Sequence, residues 1–407
     1  DGRLSGESLL KSLEKSLSCY GINIQNIGLV TTPLLYYAAK KNKYKSGVMI
    51  TGSHNPKNYN GIKLIINDKP VSGNEIYKLL DRNKDKSEVP GKIEFFDIKS
   101  NYVEEVKNNI QIDENFRLKV VIDCGNGAAG CIAPKLFSEL GCEVIELFTE
   151  VDGNFPNHHP DPGKLENLQD LIAKVKLTKA DLGLAFDGDG DRVGLITDKG
   201  DVIYPDKILM MFCKEILNKN KGSIIFDVKC TNALPDLIKN LGGTPIMSPT
   251  GHFHIKNGIK KHNPLLAGEM SGHIFFNDKW HGFDDGHYSG ARIIELISNN
   301  KKSISAINND LPNLFSTPEL NITVTDETKF QIIEDFSMKC NLKGEKINID
   351  GLRINFKNGW GLLRASNTTP KLVMRFEGNT EDDLKEIQNN FLHELSRICP
   401  NIDINLD

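Results

Sequence analysis

Short runs of Val, Ile and Leu alternate with amphipathic stretches along most of this sequence, a rhythm that few folds can produce. Residues 118–123 read as a strand, 129–140 as a helix stopped by Gly141, 142–148 as a strand, 167–179 as a helix and 181–186 as a strand. Strands joined by helices imply βαβ units around a parallel or mixed sheet. The pattern recurs in three blocks, to about residue 96, over about 100–199 and over about 200–312. The third holds a strand at 223–228 and helices at 232–241 and 286–297. The last block differs, with a strand at 320–324, hairpin-like runs at 352–356, 361–364 and 372–376, and a terminal helix at 381–398. The expected fold is α/β: three related mixed-sheet domains plus a smaller α+β fourth around a central cleft. A chain of 407 residues exceeds one hydrophobic core, in agreement with several domains.

Bulk properties exclude some functions. A formal net charge of -4 gives no basic surface for nucleic acid, and no apolar run reaches a membrane span of about eighteen residues. The eight cysteines are scattered, with no Cys-x-x-Cys pair, which argues against zinc and for buried thiols in a reducing cytoplasm.

Four loops carry chemistry. Thr51-Gly52-Ser53-His54-Asn55-Pro56 follows the apolar run 47–50 and presents Ser53 at a strand end. A serine there is either a nucleophile awaiting activation or part of a polar turn. Asp187-Gly188-Asp189-Gly190-Asp191-Arg192 sets three carboxylates between two apolar strands. Such neighbours repel by about 4 kcal/mol per close pair at an effective dielectric near 20, a cost that a hard divalent cation such as magnesium removes. A solvated acidic turn is the alternative. An EF-hand does not fit, because Arg192 stands where the sixth-position glycine belongs and Asp198 where the twelfth-position glutamate belongs.

Gly268-Glu269-Met270-Ser271-Gly272-His273 crowds donors and acceptors suited to sugar hydroxyls, and Arg364-Ala365-Ser366-Asn367-Thr368-Thr369-Pro370 suits a phosphate. Each is equally compatible with a hydrogen-bonded turn. Lys229 follows the strand 224–228 at the carboxyl end where α/β active sites lie, and a half-buried lysine there can have a lowered pKa. His252 sits in a strand-to-helix turn after Thr250-Gly251. Gly125-Asn126-Gly127-Ala128-Ala129-Gly130 fits a dinucleotide fingerprint, with Glu146 near the ribose position. A nicotinamide oxidoreductase is thus the rival reading, although hydride transfer needs none of the other loops and a tight βα turn explains these glycines.

Together the four loops resemble the α-D-phosphohexomutase superfamily, its bacterial phosphomannomutase/phosphoglucomutase branch, in order and spacing; the segment 151–162 is similar to that branch as well. The resemblance implies a phosphoserine at Ser53 and Mg²⁺ held by Ser53, Asp187, Asp189 and Asp191. It implies catalytic roles for Ser53, His54, Lys63, Arg192 and Lys229. Substrate contacts would come from Lys229, His252, Glu269, Ser271, His273, Arg364, Ser366, Asn367 and Thr368; Phe253 departs from the serine usual after His252. The implied reaction moves a phosphoryl group between C1 and C6 of mannose or glucose phosphates through a hexose 1,6-bisphosphate, which also serves as activator. The protein would be a cytoplasmic monomer acting on small sugar phosphates, without nucleic acid or membrane.

The expected domains are 1–97 with the phosphoserine, 98–199 with the metal, 200–312 for sugar recognition and 313–407 for phosphate. The family opens with a further strand and helix bearing a Tyr and an Arg near the serine, whereas this sequence starts after them, so the first domain is expected to be incomplete. An inactive sugar-phosphate binder is a third reading if that truncation is natural.

Overall fold

A computed structural model describes residues 1–407 apart from 42–43, 79–84, 114, 313, 368, 401 and 405–407. Residues 119–197 form the plainest α/β unit. Glu143–Leu147, Lys119–Asp123 and Leu182–Phe186 run parallel, and Val193–Thr197 and Val202–Ile203 extend the sheet antiparallel. Every residue of Leu182–Phe186 and Val193–Thr197 is buried, as expected of strands covered on both faces. The third unit repeats the plan, with Thr244–Ser248, Ser223–Asp227 and Leu266–Gly268 parallel and Ile274–Phe276 antiparallel.

Two expectations need correction. The helix expected over 129–140 is two pieces, a 3₁₀ turn Ala128–Cys131 and an α-helix Ala133–Glu139. Pro134 lacks the N–H that would bond back to residue 130, so the two turns cannot be continuous. The first unit holds two small sheets in place of one: parallel Ile24–Asn26 with Ile93–Phe95, and antiparallel Gly47–Ile50, Ile62–Ile66 and Lys69–Val71. Asn67 and Asp68 both take positive φ, 50° and 61°, the two-residue hairpin turn that reverses the chain there.

The fourth unit is an antiparallel sheet in which Lys371–Gly378 pairs with Gly359–Ala365, Leu320–Thr323 and Phe315–Ser316. The helices Lys329–Lys339 and Glu381–Ile398 pack on it, and the second begins on a capping box between Thr380 and Asp383. One apolar cluster runs from Leu34 through Ile122 and Phe137 to Phe226 and Ile294, so the first three units share a core. The fourth has its own, around Phe336, Leu363 and Phe391.

Candidate active site

The serine loop leaves Gly47–Ile50 and turns back into Ile62–Ile66. Ser53 sits at φ 47°, a left-handed conformation that costs a non-glycine residue about 1–2 kcal/mol and persists only where neighbours enforce it. The enforcement comes from Arg3, which is 3% exposed. Its guanidinium donates to the carbonyls of Ser53 at 2.7 Å, Asn55 at 2.6 Å, Pro56 at 2.6 Å and Tyr59 at 2.9 Å. His159 Nε2 donates to His54 O from the second unit. Ser53 Oγ is thereby aimed at the acidic loop, donating to Asp187 Oδ2 at 2.9 Å, with His54 Nδ1 3.3 Å away. The His54 imidazole is pushed down to about 2, first by the Arg192 guanidinium and then by burial, so it is neutral at any physiological pH.

Asp187, Asp189 and Asp191 are fully buried in the turn between Leu182–Phe186 and Val193–Thr197, and each turns one oxygen to within 4.8 Å of the others. Lys63 Nζ lies 2.7 Å from Asp189 Oδ2 and 2.5 Å from Asp191 Oδ2, and Thr32 Oγ1 donates to Asp189 Oδ2 at 2.5 Å. These neighbours divide the triad. Burial and then repulsion from Asp191 and Asp189 hold the Asp187 carboxyl well above its ordinary range. For Asp189 burial acts the same way, but Lys63 and the hydrogen bonds outweigh it and its pKa is lowered. Asp189 Oδ1 and Asp191 Oδ1 are buried without a hydrogen-bond donor among the described residues. Unpaired buried anionic oxygens are costly, and an oxygen-only donor set suits a hard divalent cation. The residues therefore fit a metal, and magnesium is among the ions they fit.

The glycines of this loop permit close approach. A Cβ on Gly188 would lie 2.4 Å from Ser53 O, and one on Gly127 would lie 2.9 Å from Gly188 Cα. Ala128 N donates to Gly188 O at 2.9 Å, so the fingerprint-like glycine run of the second unit is packed backbone to backbone under the acidic loop. Arg192 N donates to Asp187 Oδ1 at 3.2 Å and its Nε to His273 Nε2 at 2.9 Å, which ties the sugar loop to the acidic loop.

A second cluster lies where the third and fourth units meet. Lys229 is buried beside Glu319, with Asp227 Oδ2 3.9 Å away. Burial alone would lower its pKa, as the sequence suggested, but Glu319 and Asp227 outweigh burial and raise it. Lys229 is thus a firm cation, not a lysine poised to lose its proton. Arg364 Nε donates to Asp350 Oδ2 at 2.9 Å, and the same oxygen accepts Thr250 N at 2.9 Å, joining the phosphate loop to the His252 turn. Glu269 is buried and accepts Gly251 N at 2.6 Å. His252 begins the helix His252–His262 and stacks on His273 at 5.9 Å between centroids, with Phe253 beside it in the first turn. Ser366 Oγ accepts from Thr369 Oγ1 at 2.8 Å inside its loop; Asn367 is exposed there, and Thr368 lies outside the described residues.

Family models agree with this arrangement over nearly the whole chain. Residues 1–88, 100–200 and 204–315 match phosphoglucomutase/phosphomannomutase alpha/beta/alpha domains I, II and III, and 319–394 match the C-terminal domain. The phosphomannomutase/phosphoglucomutase of Pseudomonas syringae pv. tomato is 53% identical over 408 residues, covering 99% of this chain and 87% of the relative. A phosphoglucomutase of Neisseria gonorrhoeae is 48% identical over 96% of this chain and 86% of its own length. The crystal structure of a Burkholderia thailandensis phosphoglucomutase/phosphomannomutase family protein superposes with a TM-score of 0.92 at 43% identity, covering 100% of this chain and 89% of that one. The chain belongs to the phosphoglucomutase/phosphomannomutase family, in the bacterial branch of the α-D-phosphohexomutase superfamily.

Proposed function

We infer that this protein interconverts hexose 1- and 6-phosphates, of glucose and of mannose, through a phosphorylated Ser53. The observation that carries the reading is Ser53 itself, strained into the left-handed region with Oγ 2.9 Å from the buried triad. In the forward step the bond from phosphorus to Ser53 Oγ breaks and a bond from phosphorus to the sugar hydroxyl forms. The sugar hydroxyl gives up its proton and Ser53 Oγ takes one in its place, so the step is proton-neutral overall. The resulting hexose 1,6-bisphosphate turns end for end and returns its other phosphoryl group to Ser53, whose proton then passes to a neighbour. Asp187 and His54 Nδ1 are the groups within reach of that proton.

Phosphoryl transfer asks of a protein mainly positioning and charge compensation. Lys63 and Arg192 stand against the three aspartates from two sides. A magnesium ion held by Asp187, Asp189, Asp191 and Ser53 would supply the further positive charge that a phosphoserine of about -1.5 to -2 requires. Glu269, Ser271, His273 and His252 would read the sugar hydroxyls. Lys229, Arg364, Ser366, Asn367 and Thr368 would hold the phosphate that is not being transferred. Glucose and mannose differ only at C2, whereas Glu269 with Ser271 resembles loops that contact the C3 and C4 hydroxyls, so both epimers would be substrates.

The test is intact-mass and peptide mass spectrometry on purified protein after incubation with hexose 1,6-bisphosphate. One phosphate on the peptide containing Ser53 is expected, together with loss of both phosphate and mutase turnover in Ser53→Ala at unchanged melting temperature. Normal turnover in that variant would rule out the covalent route.

A further inference from the structure

Lys229 and Arg364, the cations set against the phosphate that is not being transferred, already carry carboxylates. Lys229 has Glu319 and Asp227, and Arg364 has Asp350. Two positive charges thus face three negative ones, an odd balance for a site that takes a phosphate dianion. The Lys229 ammonium has little freedom, because its backbone is pinned. Arg375 donates to Lys229 O, and Arg353 donates to the carbonyls of Val228 and Cys230 on either side.

The three carboxylates differ in how firmly they are held. Asp227 is fully buried, and its oxygens accept Met270 N at 3.2 Å, Cys230 Sγ at 3.1 Å and Thr250 Oγ1 at 3.4 Å. Asp350 Oδ2 accepts Thr250 N as well as Arg364 Nε, both at 2.9 Å. Glu319 has no such support. Its side chain is 37% exposed and, among the described residues, hydrogen-bonds only to Lys229. It stands just before the strand Leu320–Thr323 of the fourth unit, outside any helix or strand. Swinging it away from Lys229 breaks no other hydrogen bond. A carboxylate and a phosphate compete for the same ammonium protons, and an ion pair open to solvent is worth little, so the first can give way to the second.

We propose that Glu319 is a displaceable counter-charge, which occupies Lys229 between substrates and competes with the phosphate there, keeping that hold weak enough for the hexose bisphosphate to let go and turn end for end. The proposal rests on the mutase reading for the turning step, whereas the competition itself concerns phosphate binding alone. Contacts that tighten substrate and transition state alike lower KM without raising kcat. A tighter hold on the bisphosphate also slows its turn. Removing the competitor should therefore give a tighter and slower enzyme, the opposite of the weakened binding expected if Glu319 only props Lys229 in place.

The experiment compares wild type, Glu319→Gln, Lys229→Met and the double variant by calorimetric titration with glucose 6-phosphate and by steady-state kinetics. Glu319→Gln is expected to bind about fivefold more tightly, with KM and kcat falling together at unchanged melting temperature. In the Lys229→Met background the same change should move affinity by less than about twofold, because the two side chains act as one pair. Glu319→Ala carries the same expectation and stands in if Glu319→Gln does not fold. Unchanged or weaker binding in the Glu319 variants overturns the proposal. Tightening that persists without Lys229 overturns it as well, since that would be general charge repulsion. Wild-type protein that binds glucose 6-phosphate without turnover would sink the mutase reading, and the binding comparison would still decide whether Glu319 competes with phosphate.

Discussion

At the scale of single residues, Arg3 does what no loop motif announced. Its planar fork serves four carbonyls of the serine loop at once and also lies 5.4 Å from the Phe155 ring. Asp1 Oδ2 lies 3.2 Å from its Nε, so the cation is paired as well as buried. Lysine keeps the charge but not the fork, since one ammonium cannot reach carbonyls spread over residues 53–59. Arg3→Lys is therefore expected to destabilise by about 2 kcal/mol, the cost of leaving part of this set unpaired, tempered by solvent access at Asn55 and Tyr59. The strained φ of Ser53 loses its support in the same change, so turnover should fall with stability. Urea denaturation and initial-rate assays on the one variant check both, and unchanged midpoint and rate would show that the loop holds itself.

At the scale of elements, the acidic turn and the serine turn touch through glycine, and that contact is open to a one-carbon test. Gly188→Ala would set its Cβ 2.4 Å from Ser53 O, backbone against backbone, so one loop must withdraw. A shift of about 1 Å at a reacting centre costs on the order of 10²-fold in rate. Turnover and Ser53 phosphorylation should both fall steeply while the melting temperature moves little; normal phosphorylation in the variant would mean the loops are not in register through this contact. The alternation of Asp and Gly was legible in the sequence because it has no use in a plain strand connection. The terminal helix Glu381–Ile398 was legible to the residue, because Thr380 and Asp383 mark its start and its apolar spacing has the helical period. The break between Ala128–Cys131 and Ala133–Glu139 was signalled by Pro134, and the apolar run overrode the signal. Arg3, Glu319 and Asp350 could not be found in this way. Their partners are distant in sequence, and an isolated charged residue reads as solvated surface until tertiary contacts bury it.

At the scale of the whole molecule, the first three units share one apolar core while the fourth has its own, and the join between third and fourth combines a small apolar cluster of Val228, Met247, Trp360 and Leu362 with a larger polar set. It is built on the loop that carries Lys229. Arg353 donates to the carbonyls of Val228 and Cys230, the latter at 2.9 Å, and to Asn232 Oδ1 at 2.6 Å, with its guanidinium 3.7 Å above the Trp360 ring. Arg375 donates to the carbonyl of Lys229 and to Asp206 Oδ2 at 3.0 Å, and Glu377 accepts Trp360 Nε1 at 2.7 Å and Asn232 N at 3.1 Å. Two arginines of the fourth unit thus take three successive carbonyls of the third. Arg353 has no carboxylate partner among the described residues, and burial pushes its guanidinium down to about 10. It remains charged at neutral pH, but its stabilisation comes from carbonyl dipoles and the indole face. Arg353→Met keeps much of the stem packing on Trp360 and strands the carbonyls of Val228 and Cys230, each worth about 1–3 kcal/mol when buried and unpaired. The loss should be confined to the join. Amide exchange is expected to quicken in 228–232 and in the strand Leu352–Phe356, and to stay unchanged in Lys119–Asp123, deep in the shared core. Ser53 should still take up phosphate from a bisphosphate donor, since its loop belongs to the first unit. KM for hexose phosphate should rise about tenfold, because Lys229 and Arg364 are no longer held in one frame. Exchange that quickens equally through all four units would show instead that the molecule unfolds as one body and that the join is no weaker than the core.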